Sequence, residues 1–210
     1  MNSITLTKKQ LNSLKRLDTG NAKNTECEMY LLNNSNWKCT NNTLLLKKLY
    51  LNKGEVMANK LFTVSLLNDK KKDINMDELV IPNNLVVVNN EIIGFTVPLI
   101  SDAKNLKTIL DDFKIENSLK IYYLHKIGKI LKKINSLHQK NIINLTIGDL
   151  HEDNILVTKD HDIKVVDLDS AYLGTNYPSS AFYLRNSEIE KFKKYKVNSF
   201  GVVYPNKNTD

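Results

Sequence analysis

The chain has 210 residues, of which 41% are apolar and 25% charged, and its formal charge is +7. That length suffices for one large domain or two small lobes with a real core. No apolar run approaches the length of a membrane span, and MNSITLTKKQLNSLKRLDTG at the N-terminus has no signal-peptide-like apolar segment, so a cytoplasmic protein is expected.

The first half reads as strands with one helix. TECEMYLL (25–32) and NTLLLKKLYL (43–52) have strand composition and are separated by the turn-rich NNSNWKCTNN. The two cysteines, Cys27 and Cys39, are too few for a disulfide framework and are expected as reduced thiols. GEVMANKLFTVSLLN (54–68) spaces Val56, Met57, Leu61, Val64 and Leu67 as a helix does. NLVVV and EIIGFTVPLI then flank Asn89-Asn90, a hairpin signal.

After Pro98 the pattern becomes helical. SDAKNLKTILDDF (101–113) predicts a short helix capped by Ser101 or Asp102. SLKIYYLHKIGKILKKINSLHQK (118–140) predicts a long one, with Leu124, Ile127, Leu131, Ile134 and Leu137 as its apolar stripe. A strand at Asn154–Thr158, the turn KDHD and a strand at Ile163–Val166 follow, and the last forty residues look irregular. This order predicts an α+β fold in two lobes, a β-rich 1–98 and a helical 99–210, hinged near 97–102. The lysine runs at 70–72 and at Lys191, Lys193, Lys194 and Lys196 read as solvated faces. With only Phe192 and Tyr195 as interleaved aromatics, nucleic acid is not an expected partner, although the basic balance suits a polyanion such as ATP.

One stretch of this basic chain concentrates acid. IGDLHEDNILVTKDHDIKVVDLDS (147–170) carries seven carboxylates and two histidines around two short apolar runs. Its Asp149-x-x-x-x-Asn154 spacing, followed after two strands by Asp167 in VVDLDS, resembles the catalytic loop and D-F-G element of the protein-kinase-like superfamily, over roughly residues 20–210. The resemblance implies ATP and Mg²⁺. Asp149 would accept the proton of the attacking hydroxyl, and Asn154 and Asp167 would hold the metal, a hard cation that needs one or two protein oxygens plus phosphate and water. Three plainer readings compete. A surface hairpin with acidic turns explains the charges alone; a zinc site from His151, Glu152 and His161 lacks cysteines and ligand spacing; an EF-hand loop lacks its central glycine.

The departures carry information too. Ile147 and Gly148 replace the family's His-Arg, which removes the usual partner of an activation-loop phosphate. Gly148 and His151 are instead similar to the H-G-D-x-H form of aminoglycoside-phosphotransferase-like small-molecule kinases. Leu168 stands for the Phe. Asp169 stands for the Gly and is either a further metal ligand or a local hydrogen-bond partner. In the first lobe the resemblance implies a nucleotide-binding lysine on the strand LLLKK. Alternation from Leu45 favours Lys47 over Lys48. The lysine's implied acidic partner on the following helix is Glu55, which a helix N-terminus explains equally well. DTGNAKNTECEMY holds only Gly20 where the family has a glycine-rich loop, and GFTVPLI (94–100) resembles the strand entering the hinge.

The expected activity is phosphoryl transfer from Mg-ATP to a hydroxyl of a protein or a small molecule. A non-catalytic nucleotide- or partner-binding pseudokinase is the alternative. Against the family pattern the helical lobe is expected to be cut short near Asp210, as a truncated frame, a minimal kinase, or a chain completed by a partner.

Overall fold

The computed structural model describes residues 2–17, 27–32, 43–50, 54–140, 143–173, 195–197 and 203–205; for 54–58 and the last two segments it describes the backbone alone. The strand β1 (Asn2–Leu6) and helix α1 (Lys8–Ser13) come first, then β2 (Lys15–Arg16), β3 (Cys27–Leu32) and β4 (Leu44–Leu49). Helices α2 (Gly54–Asp69) and α3 (Lys71–Ile74) lead to β5 (Asn84–Val88) and β6 (Glu91–Pro98). Next are β7 (Ala103–Asn105), α4 (Leu106–Asp111), α5 (Asn117–Gln139), β8 (Leu145–Thr146), β9 (Ile155–Thr158), β10 (Ile163–Val165) and β11 (Tyr172–Leu173). A last pair, β12 (Tyr195–Val197) and β13 (Val203–Pro205), hydrogen-bonds antiparallel to itself. The fold is α+β.

Six strands form one sheet in the order β1-β5-β6-β4-β3-β2, antiparallel except where β1 runs alongside β5. The β5–β6 hairpin turns at Asn89 and Asn90, both left-handed (φ 50° and 65°), as the tight turn demands and asparagine tolerates. Leu6, Leu46 and Val86 are buried on one face of the sheet, while Leu49 and Phe95 pack with Val64 of α2 on the other. The largest core joins Leu67 of α2, Ile74 of α3 and Leu79 to Ile127, Ile130 and Ile134 of α5 and to the β8–β11 strands. Helix α2 therefore touches both the sheet and the helical half. Nothing was expected before residue 25, yet β1 buries Ile4 and Leu6 against the sheet and α1 closes with a Thr7–Gln10 capping box.

Two expectations are corrected. The helix predicted over 101–113 is only Leu106–Asp111: Ala103–Asn105 pairs with β9 instead, and Asn105, not Ser101 or Asp102, is the cap, its Oδ1 accepting from Thr108 N at 2.9 Å. Asp102 adopts φ 52°, which ends any helix there. Of the expected α5 stripe, Ile127 and Ile134 are buried and Leu131 and Leu137 pack partly buried against the same core, but Leu124 is half exposed and Tyr123 and Ile130 are buried as well. A helix with apolar residues at 123, 124, 127, 130, 131 and 134 admits either edge to its stripe, and the neighbouring strands choose between them. Among the described residues no helix is long and apolar enough to cross a membrane. Cys39, Gly20, Lys191, Lys193, Lys194 and the side chains of Lys196 and Glu55 lie outside the described residues.

Candidate functional site

The site assembles from two places far apart in sequence. In the central strand β4 the side chains alternate, so Leu44 and Leu46 enter the sheet core while Leu45 and Lys47 face the opposite side. Lys47 is 7% exposed, with its Nζ 5.8 Å from the ring centroid of Phe95 on β6. Lys48 turns the other way and donates to Glu28 at 2.7 Å. Gly94 of β6 permits this pairing: a Cβ there would fall on the Lys47 carbonyl oxygen and within 3.0 Å of its carbonyl carbon.

The second contribution is the β9–β10 hairpin. Its turn closes on His161, whose φ of 62° is left-handed. At its open end Val166 N donates to Asn154 O at 2.9 Å, so Asn154 precedes one strand and Asp167 follows the other, side by side. Segment 78–80 clamps β10 from outside, Val165 N to Glu78 O at 2.7 Å and Val80 N to Val165 O at 2.9 Å. Asp167 sits at φ 62°, ψ 43°, a conformation that costs a residue with a side chain on the order of 1 kcal/mol and that clusters at functional sites. A 3₁₀ turn, Leu168–Ser170, then buries all three of its residues.

Lys47 and Asp167 are in direct contact across this junction, and Lys47 Nζ also donates to Asp169 Oδ2 at 3.0 Å. Lys60 of α2 reaches the same Asp169 oxygen at 3.0 Å and lies 3.5 Å from Ser170 Oγ. Lys47, Lys60 and Asp169 are buried while Asp167 keeps a little over a third of its side chain open, so two lysines and two aspartates, whose own charges balance, lie together in a largely enclosed group. Burial by itself would lower the Lys47 ammonium; Asp169 and Asp167 outweigh it and hold the group well above its ordinary value. Burial likewise works against the Asp169 carboxylate, but Lys47 and Lys60 keep it well below the usual range. Asp167 goes the other way, pushed up to about 6 by burial and the negative Asp169 against the opposing pull of Lys47.

Asp149 lies beside this group. Asn154 Nδ2 donates to Asp149 O at 3.0 Å and to its Oδ2 at 3.3 Å, and His151 Nε2 stands 3.7 Å from the same carboxylate. The other ring nitrogen of His151 accepts from Asp153 N at 3.2 Å. A cleft of about 490 Å³ runs between sheet and hairpin. Leu45, Val80, Phe95, Val97 and Leu156 make its apolar walls, and Lys47, Asn154, Asp167 and Asp169 its charged end. Cys27 is also on the wall, its thiol pushed up to about 11 chiefly by burial and so kept neutral. A second groove of about 360 Å³, between α5 and β10, is lined by charges that pair with each other, Lys133 with Glu78 and Lys126 with Asp162.

Of the residues singled out from sequence, Lys47, Asn154 and Asp167 meet at the cleft, and Asp149 is tied to them through Asn154. His151, Glu152 and His161 form no metal cluster. Among the described residues no group of three or more His, Cys, Asp or Glu is arranged to hold a metal ion. Asn154 and Asp167 nonetheless fit a Mg²⁺ that takes its remaining ligands from phosphate and water, since the Asn154 nitrogen is committed to Asp149 and its oxygen is left for a cation. Lys60 was missed. Its signal was in view: 56, 60, 64 and 67 share one helix face, so a lysine stood in the apolar stripe. No protein-family model matches the chain, and no curated protein does.

Proposed function

We propose that the chain is a kinase-like phosphotransferase of two lobes, 1–98 and 99–210, which moves a γ-phosphoryl group from Mg-ATP to a hydroxyl. One observation carries the proposal: a lysine of the central strand and an aspartate 120 residues later meet at the charged end of one apolar-walled cleft, with Asn154 and Asp149 alongside. Phosphoryl transfer asks a protein mainly for positioning and for charge placed near phosphate oxygens. The apolar walls suit a flat base, and Lys47 supplies positive charge at the inner end. Asn154 and Asp167 would hold Mg²⁺, whose chemistry is to neutralise phosphate charge. Asp149, fixed by Asn154 and a little over a third exposed, accepts the proton of the incoming hydroxyl. Its neighbour His151 leaves both protein and small-molecule acceptors in play.

The direct Lys47–Asp167 contact favours a second reading, a protein that binds nucleotide without transferring phosphate, because each group is neutralised by the other. Incubation of the full chain with γ-labelled ATP and Mg²⁺ separates the readings, with incorporation measured into itself, generic protein substrates and a panel of hydroxylated small molecules. Transfer that disappears in Asp149→Asn and Asp167→Asn supports the enzyme. ATP binding with no transfer to any acceptor supports the second reading, and absence of ATP binding refutes both.

A further inference from the structure

The proposed nucleotide site contains one cation that none of the assigned roles uses. Lys60 does not line the cleft; it approaches from α2, behind Asp169, and is 4% exposed. Asp169 takes Lys47 and Lys60 on a single oxygen, Oδ2, both at 3.0 Å. We propose that Lys60 is a positioning residue for the phosphate-binding lysine. By neutralising Asp169 from the side away from the cleft, it keeps that buried carboxylate from holding Lys47 alone, and so leaves Lys47 able to turn its charge to a polyphosphate.

The charge arithmetic supports this role. Lys47 and Asp167 both line the cleft, as does Asp169. Without Lys60 these three would carry a net negative charge at the end where phosphates must enter, and Lys47 would face two carboxylates by itself. With Lys60 the charges of these four side chains sum to zero, and recruitment of Asp167 by a cation leaves Lys60 opposite Asp169. The dielectric is low here, so one charge weighs heavily. The pair also joins α2 to the turn after Asp167, and Ser170 Oγ near Lys60 extends that junction. A merely structural bridge would hold the helix in place but would have no preferred sign in its effect on ligand binding.

This assignment rests on the cleft being a nucleotide site, and its test separates the two. Metal-free ATP binding is measured by calorimetry, alongside thermal midpoints, for wild type, Lys60→Met, Asp169→Asn and the double variant. Each single substitution breaks the same bridge, so both midpoints fall. The affinities move in opposite directions: Lys60→Met loses on the order of tenfold or more by Coulomb's law at short range, Asp169→Asn gains, and the double variant returns to within about threefold of wild type. Should Lys60→Met not fold, Asp169→Asn and the double variant carry the comparison, because the assignment requires a gain in the first and its loss in the second. Affinities that fall together in both single variants overturn the positioning role while leaving nucleotide binding intact. A wild-type chain that binds no ATP overturns the function and this assignment with it.

Discussion

Gly94→Ala tests whether the sheet geometry that presents Lys47 is as tight as the structure implies. Gly94 pairs with Lys48 across β6 and β4, next to the register shift between Val86 and Val87 on β5. A methyl group there would overlap the Lys47 carbonyl oxygen and stand 3.0 Å from both the carbonyl carbon and Lys48 Cα. These are backbone atoms of a central strand, so no side chain can swing aside, and β4 must retreat by roughly 1 Å or more to reach ordinary contact distance. Overpacking of this kind costs about 2–3 kcal/mol. For a chain of this size the thermal midpoint should fall by about 4–12 °C. The moved atoms belong to Lys47 itself, so ATP affinity should drop along with stability. Urea denaturation gives the first quantity and calorimetry at a temperature where the variant is folded gives the second. A loss below about 0.5 kcal/mol with unchanged ATP affinity would refute the argument that Gly94 sets the position of Lys47.

Three further outcomes are expected. Lys47→Met removes a buried cation from two carboxylates and should cost about 2–4 kcal/mol in urea denaturation. Lys48→Met breaks the partly exposed pair with Glu28 and a contact over the Tyr30 ring and should cost less than about 1 kcal/mol, and equal losses would contradict the burial assigned to Lys47. Asp149→Asn should reduce phosphoryl transfer by about 10²–10⁴-fold with ATP affinity and thermal midpoint unchanged, because the side chain is more than a third exposed and lies outside the apolar core. Finally, burial pushes the Asp167 carboxyl up to about 6 from an ordinary 3.8. A carboxyl raised on folding favours the folded chain at low pH, and that contribution disappears as pH rises through about 6. Cation binding needs the ionised form, so Mg²⁺-dependent ATP binding should be flat above about pH 6 and weaken towards tenfold per unit below it. A profile flat down to about pH 4.5 in wild type, or an unchanged profile in Asp167→Asn, would count against this assignment.

Much of the local architecture was legible because it depends on short-range pattern. Asn89-Asn90 announced its hairpin through the one backbone conformation that asparagine tolerates better than most residues. Alternation along LLLKK separated the directions of Lys47 and Lys48 without reference to anything outside the strand. Where pattern admitted two answers, distant contacts decided. The apolar face of α5 had two possible edges, and packing against β8–β11 takes in Tyr123 and Ile130 and leaves Leu124 out. Residues 103–105 looked helical until β9 offered them a strand partner. β1 was invisible because five residues of ordinary composition become a strand only once β5 lies beside them.

The site shows the same division more sharply. The spacing from Asp149 to Asn154 and the return to Asp167 follow from one loop and one hairpin, so sequence distance is nearly spatial distance there. Lys60 and Asp169 are 109 residues apart, and neither has a motif of its own. Each was nevertheless anomalous in place: a lysine in the apolar stripe of a helix, and an aspartate where the resembling pattern wants glycine. A buried charge is tolerated only with a partner of opposite sign, so two unexplained charges of opposite sign, both in positions destined for burial, amount to a contact prediction. In this chain the two are Lys60 and Asp169, which the structure brings to 3.0 Å. Here α2 brings a lysine to that contact, and the turn after Asp167 brings the carboxylate.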